Sequence, residues 1–142
     1  MKLSSLALAF LLTAATTSRP SEVGRRIAAP VSVLQLVATP DKYDGKSVSV
    51  VGYLELQVEN DIIYLHREDR DFGLYANSLR VEFEPKLTEK EKSMCNLHYV
   101  YVRGKFDAND KGPHSDMGGS IKQAEAILVW PGPRPQPVTS PN

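Results

Sequence analysis

The sequence predicts a small all-β domain with short helices, and two patterns carry this prediction. Apolar and polar residues alternate with a period of two over residues 47–59, which is typical of a strand with one buried face. The same period recurs over residues 98–107, where Val100, Val102 and Phe106 share one face. Helical signals are confined to two short segments, each of which begins with a capping box. The chain should therefore fold mainly as sheet.

The predicted elements follow one another in the order α-β-β-β-α-β-β. Ser32 and Gln35 form the capping box of a helix predicted over residues 33–38. A second capping box, which opens at Thr88, predicts another short helix to about Cys95, whose thiol we expect to be buried. The five strands are predicted over residues 47–59, 62–66, 79–84, 98–107 and 120–130.

This element order is that of the OB-fold, a five-stranded Greek-key barrel. Gly52 lies in the middle of the long first strand, where a strand bends sharply around a barrel corner. An SH3-like barrel would lack the helix between the third and fourth strands, and a ferredoxin-like domain would need a helix directly after the first strand. We therefore expect an OB-fold-like barrel domain over residues 31–130.

The composition excludes several classes of protein. The chain has 142 residues, which amounts to one domain, and its 17 basic residues balance 17 acidic ones. A chain without net charge does not hold nucleic acid by bulk electrostatics, and its one cysteine cannot form an internal disulfide. Frequent hydrophobic runs exclude disorder throughout the chain.

The two ends of the chain are expected to lie outside the barrel. A lysine, an apolar run over residues 3–12 and a series of small residues predict a signal peptide over residues 1–18, and an apolar helix of the fold is the alternative. Export to the periplasm or the medium follows from a signal peptide, with no membrane span after its removal. We expect a flexible linker over residues 19–30 and a disordered tail over residues 131–142, which carries five prolines.

Three segments carry a pattern that is found elsewhere. They read QLVATPDKYDGKSVSVVGYL from Gln35, YLHRED from Tyr64, and VRGKFDANDKG from Val102 with a later GSI. On these residues, which span about two thirds of the chain, the protein resembles a set of small, mostly uncharacterised bacterial OB-fold-like proteins. The resemblance implies a compact β-barrel domain and no activity. The family pattern has Gly-His-Met-Gly in its last loop, whereas an insertion separates His114 from Met117 here.

The densest charge cluster follows the second predicted strand. His66 could act as a base oriented by Glu68 or Asp69, as in a small hydrolase. No serine or cysteine nucleophile stands at a recognisable motif to partner it. Alternatively, Arg67 and the acids contact a ligand, or the charges pair with one another on a solvated connector over residues 67–77.

The outward face of the fourth predicted strand interleaves aromatic and basic residues. Tyr99, Tyr101 and Arg103 alternate there with inward-facing valines, and Tyr53 and Tyr64 could extend the face. Single-stranded nucleic acid uses such residues for base stacking and phosphate contact. Acidic residues flank the face, and export would remove the usual nucleic acid, so cross-strand packing on the barrel exterior is the alternative.

Metal binding is not expected. Residues 107–112 match a calcium loop at three positions, but Lys111 stands where a ligand oxygen belongs. His114, Asp116 and Met117 could hold a soft metal only with a further ligand from elsewhere. His98 has the parity of a core residue on the fourth strand. We expect neither a metal nor a cofactor.

The sequence therefore favours an exported binding module without catalytic activity. Its ligand could be a protein, an oligosaccharide or a small molecule, bound at the second and third strands with the connector and the loop over residues 108–119. The alternatives are a nucleic-acid-binding OB domain and a small hydrolase that uses His66. The candidate ligand-binding residues are Tyr64, His66, Arg67, Glu68, Asp69, Tyr99, Tyr101, Arg103 and His114.

Overall fold

The computed structural model describes residues 30–113 and 116–132. The predicted signal peptide, the predicted linker up to residue 29, the tail beyond Gly132 and the candidate residue His114 lie outside the described residues. No helix in the described part of the chain is long and apolar enough to cross a membrane.

Five strands close into a barrel. They are β2 (Ser47–Glu55), β3 (Asp61–Tyr64), β4 (Ser78–Phe83), β5 (His98–Asp107) and β6 (Ser120–Val129), and β1 (Val31–Ser32) is a two-residue addition. Neighbours run in the order β2-β3-β4-β6-β5, and pairing of β2 with β5 closes the ring. The β4–β6 pair is parallel and the other pairs of the ring are antiparallel. The prediction of an all-β, OB-fold-like barrel is confirmed.

Within the described residues, four short helices accompany the strands: α1 (Val33–Ala38), α2 (Pro40–Tyr43), α3 (Arg67–Asp71) and α4 (Glu89–Cys95). Both predicted capping boxes are formed, at the start of α1 and at the start of α4. The connector between β3 and β4, interpreted from sequence as charged loop, contains α3 and a 3₁₀ turn over Tyr75–Asn77. Two helical segments were therefore missed, α2 and α3.

Alternate residues of the strands fill the barrel. Val50, Leu54, Val100, Val102 and Phe106 are fully buried, as their parity predicts. Two glycines allow the walls to approach each other closely. A Cβ on Gly52 would lie 2.5 Å from the Tyr64 main-chain oxygen, and one on Gly104 would lie 2.6 Å from the Ile121 Cγ2. These two positions therefore leave no room for a side chain unless a neighbouring strand moves.

Three details of the sequence interpretation need correction. The first barrel strand ends at Glu55 rather than at residue 59, and Val58 is fully exposed. The second ends at Tyr64, so His66 follows the strand. His98 is exposed rather than part of the core, and its Nδ1 lies 2.8 Å from the main-chain oxygen of Asn96. Cys95 is buried as expected, and this burial raises the pKa of its thiol.

Candidate functional site

A cleft of about 750 Å³ lies on the outside of the barrel, at the paired ends of β2 and β5. Its lining is mainly apolar and aromatic, whereas Arg67 and His98 contribute polar groups. The apolar and aromatic part consists of Val51, Tyr53, Leu97, Tyr99, Val129, Trp130 and Pro131. Concave, mainly apolar surfaces with a few polar groups are typical of ligand sites.

Strand register brings two tyrosines of the cleft together. Tyr53 on β2 is directly opposite Tyr99 on β5, and both have outward parity. Their rings meet edge to face, with centroids 5.4 Å apart and an interplanar angle of 68°. The Arg67 main-chain N–H donates to the Tyr99 hydroxyl over 3.2 Å, which holds the ring of Tyr99 in place. Because Tyr53 is buried, Tyr99 is the ring of this pair that a ligand can reach.

Trp130 also lines the cleft, and its indole lies next to the ring of Tyr101. The two rings are stacked, with centroids 6.5 Å apart and an interplanar angle of 16°. The Tyr101 hydroxyl donates to Ser49 Oγ over 2.7 Å. Tyr101 therefore has outward parity, as predicted, but it is 4% exposed and does not form part of an open aromatic face.

Several apolar side chains remain exposed around the cleft. Leu97, Tyr99, Val129 and Trp130 all line it, and each keeps between 37% and 44% of its surface exposed. Leu128, which is opposite Tyr101 in the β5–β6 register, is 53% exposed. Clustered exposed apolar residues on a small protein mark sites of interaction. Sequence analysis missed Trp130, because its parity at the end of a strand gave no indication of what it covers.

The charge cluster after β3 is a helix cap. The Asp69 carboxylate accepts one hydrogen bond from the His66 main-chain N–H over 2.8 Å and another from Asn77 Nδ2 over 2.7 Å. Asp69 is 6% exposed, and His66 Nδ1 lies 3.4 Å from its Oδ2. The structure thus brings His66 and Asp69 together, while Glu68 is exposed. Asp69 thus caps the start of α3 through Oδ2 and ties it to the 3₁₀ turn at Asn77 through Oδ1.

Tyr64 lies under the connector. It is 1% exposed and packs in a small second core with Ile62 and Met117, against which Tyr75 is placed. Its hydroxyl donates to Glu55 Oε2 over 3.4 Å, and Arg70 binds Glu55 Oε1 through Nε and Nη2 at 3.0 and 2.8 Å. Burial, followed by the Glu55 charge, raises the pKa of Tyr64. Tyr64 is therefore closed to a ligand in this arrangement.

The loop between β5 and β6 is fastened to the barrel. Asp110 Oδ2 lies 3.2 Å from Arg80 Nη1 and 2.8 Å from Lys122 Nζ, and Asp107 lies 3.4 Å from the same lysine. The hydrogen bond from Lys122 holds the pKa of Asp110 below its usual range. These carboxylates thus neutralise cations of the barrel itself. Among the described residues, no group of three or more His, Cys, Asp and Glu side chains could hold a metal ion.

Two candidate cations, Arg67 in the cleft and Arg103 further along β5, have acidic neighbours. Arg67 Nε lies 3.5 Å from Asp71 Oδ2, and Arg103 Nε lies 3.8 Å from Glu125 Oε1. This part of the surface is therefore close to electrically balanced. Of the predicted site residues, the structure places Arg67 and Tyr99 in the cleft, whereas His66, Glu68, Asp69, Tyr64, Tyr101 and Arg103 do not line it.

Comparison of the chain with protein-family models and with curated proteins finds no match to either.

Proposed function

We propose that this protein is an exported, non-enzymatic interaction module that binds an extended apolar peptide segment of a partner protein. The OB-like barrel is compatible with a binding role. The single observation that carries the proposal is the aromatic cleft, in which Tyr99 and Trp130 are partly exposed on a rigid framework of paired strands. The exported location rests on the signal-like sequence of residues 1–18.

The chemistry of the lining favours a peptide over an oligosaccharide. A sugar presents hydroxyls on every side and needs several polar partners, whereas among the described residues this lining has only the side chains of Arg67 and His98 beside its tyrosine hydroxyls. The Tyr99 hydroxyl already accepts a hydrogen bond from the chain. Proline-rich and other extended apolar segments dock against aromatic-lined grooves and need few hydrogen bonds.

The same features disfavour single-stranded nucleic acid. Nucleic acid requires stacking rings together with cations that are free to neutralise phosphates. Arg67 and Arg103 both have a carboxylate within 4 Å, and Tyr101 is covered by Trp130. The geometry near His66 likewise offers little support for hydrolysis, because Asp69 is engaged in capping α3.

Fluorescence of Trp130 tests the proposal directly, since this residue is the only tryptophan of the chain and lines the cleft. The protein is titrated with an oligoproline peptide, and separately with a chito-oligosaccharide and with oligo(dT). We expect saturable binding of the peptide alone. Tyr99→Ala should weaken that binding by about tenfold, which corresponds to about 1.4 kcal/mol.

Phe72→Ala is the matched control, because Phe72 is an exposed aromatic residue that does not line the cleft. It should bind the peptide as the unaltered protein does. Binding of oligo(dT) that weakens steeply with salt, or binding of the sugar but not the peptide, would instead assign the cleft to another ligand class.

Export has a separate test. The protein is purified from fractionated source cells, and its N-terminus is read by mass spectrometry. We expect it outside the cytoplasm with a first residue between Thr16 and Arg19. A cytoplasmic protein that begins at Met1 would contradict export and leave the peptide-binding proposal to its own experiment.

A further inference from the structure

We infer that the proline-rich segment over residues 133–142 of the same chain occupies the cleft and competes there with a partner's peptide. The inference rests on the proposed function, because it needs a cleft that accepts extended, proline-containing peptides. It adds a resident ligand and therefore a control on when the partner can bind.

The described part of the chain ends at the cleft. Pro131 and Gly132 line the cleft, and Gly132 is the last described residue before the segment begins. The main-chain N–H of Trp130 donates to the Tyr99 carbonyl over 2.7 Å, which ties this exit to β5. The segment therefore starts at the wall of the cleft.

The sequence of the segment is rich in proline. Prolines stand at alternate positions, beginning in the described chain at Pro131 and continuing with Pro133, Pro135 and Pro137. Such a sequence favours the extended polyproline II conformation, which costs little further entropy when it binds. Its rings are the apolar groups that aromatic grooves accept. The chain thus carries, next to its own cleft, a peptide of the class that the lining selects.

Attachment to the same chain favours binding of the segment in the cleft. A short flexible connection gives a tethered peptide an effective concentration in the millimolar range. The segment consequently occupies about half of the clefts even when its intrinsic dissociation constant is itself about millimolar.

The test compares three forms of the protein by the dissociation constant with which each binds an oligoproline peptide. The first form is the complete chain, and the second is truncated after Gly132. The third keeps the full length but carries Pro133→Ser, Pro135→Ser and Pro137→Ser. We expect the truncated and the substituted forms to bind the peptide at least about twofold more tightly than the complete chain, because a competitor that occupies about half of the clefts is absent.

A synthetic peptide of residues 131–142 gives the complementary measurement. Added to the truncated protein, it should change Trp130 fluorescence and weaken oligoproline binding to the level of the complete chain. Tyr99→Ala in the truncated protein should shift both effects to about tenfold higher peptide concentration.

The outcomes separate this inference from the proposed function. Equal affinity of all three forms for oligoproline would overturn the inference and leave the proposed function intact. Failure of all three forms to bind would overturn both. Self-association of the complete chain, detected by light scattering and lost on truncation, would assign the segment to the cleft of a second copy and overturn occupation within one chain.

Discussion

The indole of Trp130 lies parallel to the ring of Tyr101, at a centroid distance of 6.5 Å. Tyr101 in turn donates a hydrogen bond to Ser49, so that a residue just after β6 lies against a tyrosine that joins β5 to β2. Trp130 also lines the cleft and is 41% exposed. The same indole therefore contacts the buried Tyr101 and offers surface to a ligand.

The buried hydroxyl of Tyr101 should matter for stability. Tyr101→Phe removes the 2.7 Å hydrogen bond to Ser49 in a region that both residues keep buried, and we expect the free energy of unfolding to fall by about 1–2 kcal/mol. Urea denaturation measures the change. Tyr99→Phe is the matched control on the same strand, because water can replace its exposed hydroxyl. It should change the free energy by less than about 0.5 kcal/mol, and equal losses in the two variants would contradict the stabilising role of the buried Tyr101 hydroxyl.

Gly52 should tolerate no side chain. The Cβ of Gly52→Ala would lie 2.5 Å from a main-chain oxygen and 2.7 Å from Ile63 Cγ1, so one of the strands must move. We expect a loss of about 3 kcal/mol or more in the free energy of unfolding, measured by thermal and urea denaturation. Gly132→Ala, which meets open space, should leave stability unchanged. A Gly52→Ala protein as stable as the unaltered one would show that the barrel wall is not closed here.

Acid should loosen the loop that Asp110 fastens. Its pKa is lowered in the folded protein by the Lys122 hydrogen bond, so the folded state holds this proton less tightly than the unfolded chain. The stabilisation is therefore present above about pH 4 and is lost as the pH falls through the folded-state pKa. We expect Asp110→Asn to lower stability at pH 7 by roughly 1 kcal/mol and to make the decline below pH 4 shallower.

Denaturation over a series of acidic pH values tests this expectation. Asp116→Asn is the control, because it removes an exposed carboxylate from the same loop. An unchanged acid profile in Asp110→Asn would refute the fastening role of Asp110.

Alkaline conditions should act through Tyr64. Burial and the Glu55 charge raise its pKa, so the folded protein keeps this proton where the unfolded chain releases it. Stability from this group is complete below about pH 10 and falls as the pH rises further, toward the folded-state pKa. Tyr64→Phe should flatten that decline. Ultraviolet titration of tyrosinate checks the cause, since the signal of Tyr64, identified by its loss in Tyr64→Phe, should appear only as the chain unfolds.

Local signals were sufficient for much of the fold. The capping box of Ser32 and Gln35 predicted α1 with its observed bounds, because the bonds that begin a helix connect residues three positions apart. The period-two pattern predicted β5 over His98–Asp107. The period-two pattern predicted the end of β2 wrongly, because a side chain there takes the place of a neighbouring strand as hydrogen-bond partner. Leu56 continues the alternation of β2, yet its main-chain N–H donates to Asn96 Oδ1 over 2.9 Å.

The candidate site was harder to predict, because long-range contacts decide it. Alternation placed Tyr99 and Tyr101 on one outward face, but only the return of the chain at Trp130 determines which of them is covered. Likewise, Asp69 belongs to a charged run in the sequence, and its hydrogen bond with Asn77 gives it a structural role that the run does not reveal. Arg67 lines the cleft through the start of α3, which was not predicted.

The central claim is that ligands bind at the aromatic cleft rather than on the outer face of β3 and β4. Heteronuclear NMR of the labelled protein, titrated with an oligoproline peptide, tests it most directly. The account predicts saturable shifts of the Trp130 indole N–H and of the main-chain amides of Val51 and Tyr99, with the amides of Arg80 and Glu82 unmoved. Shifts centred on Arg80 and Glu82, or no shifts at any peptide concentration, would contradict it.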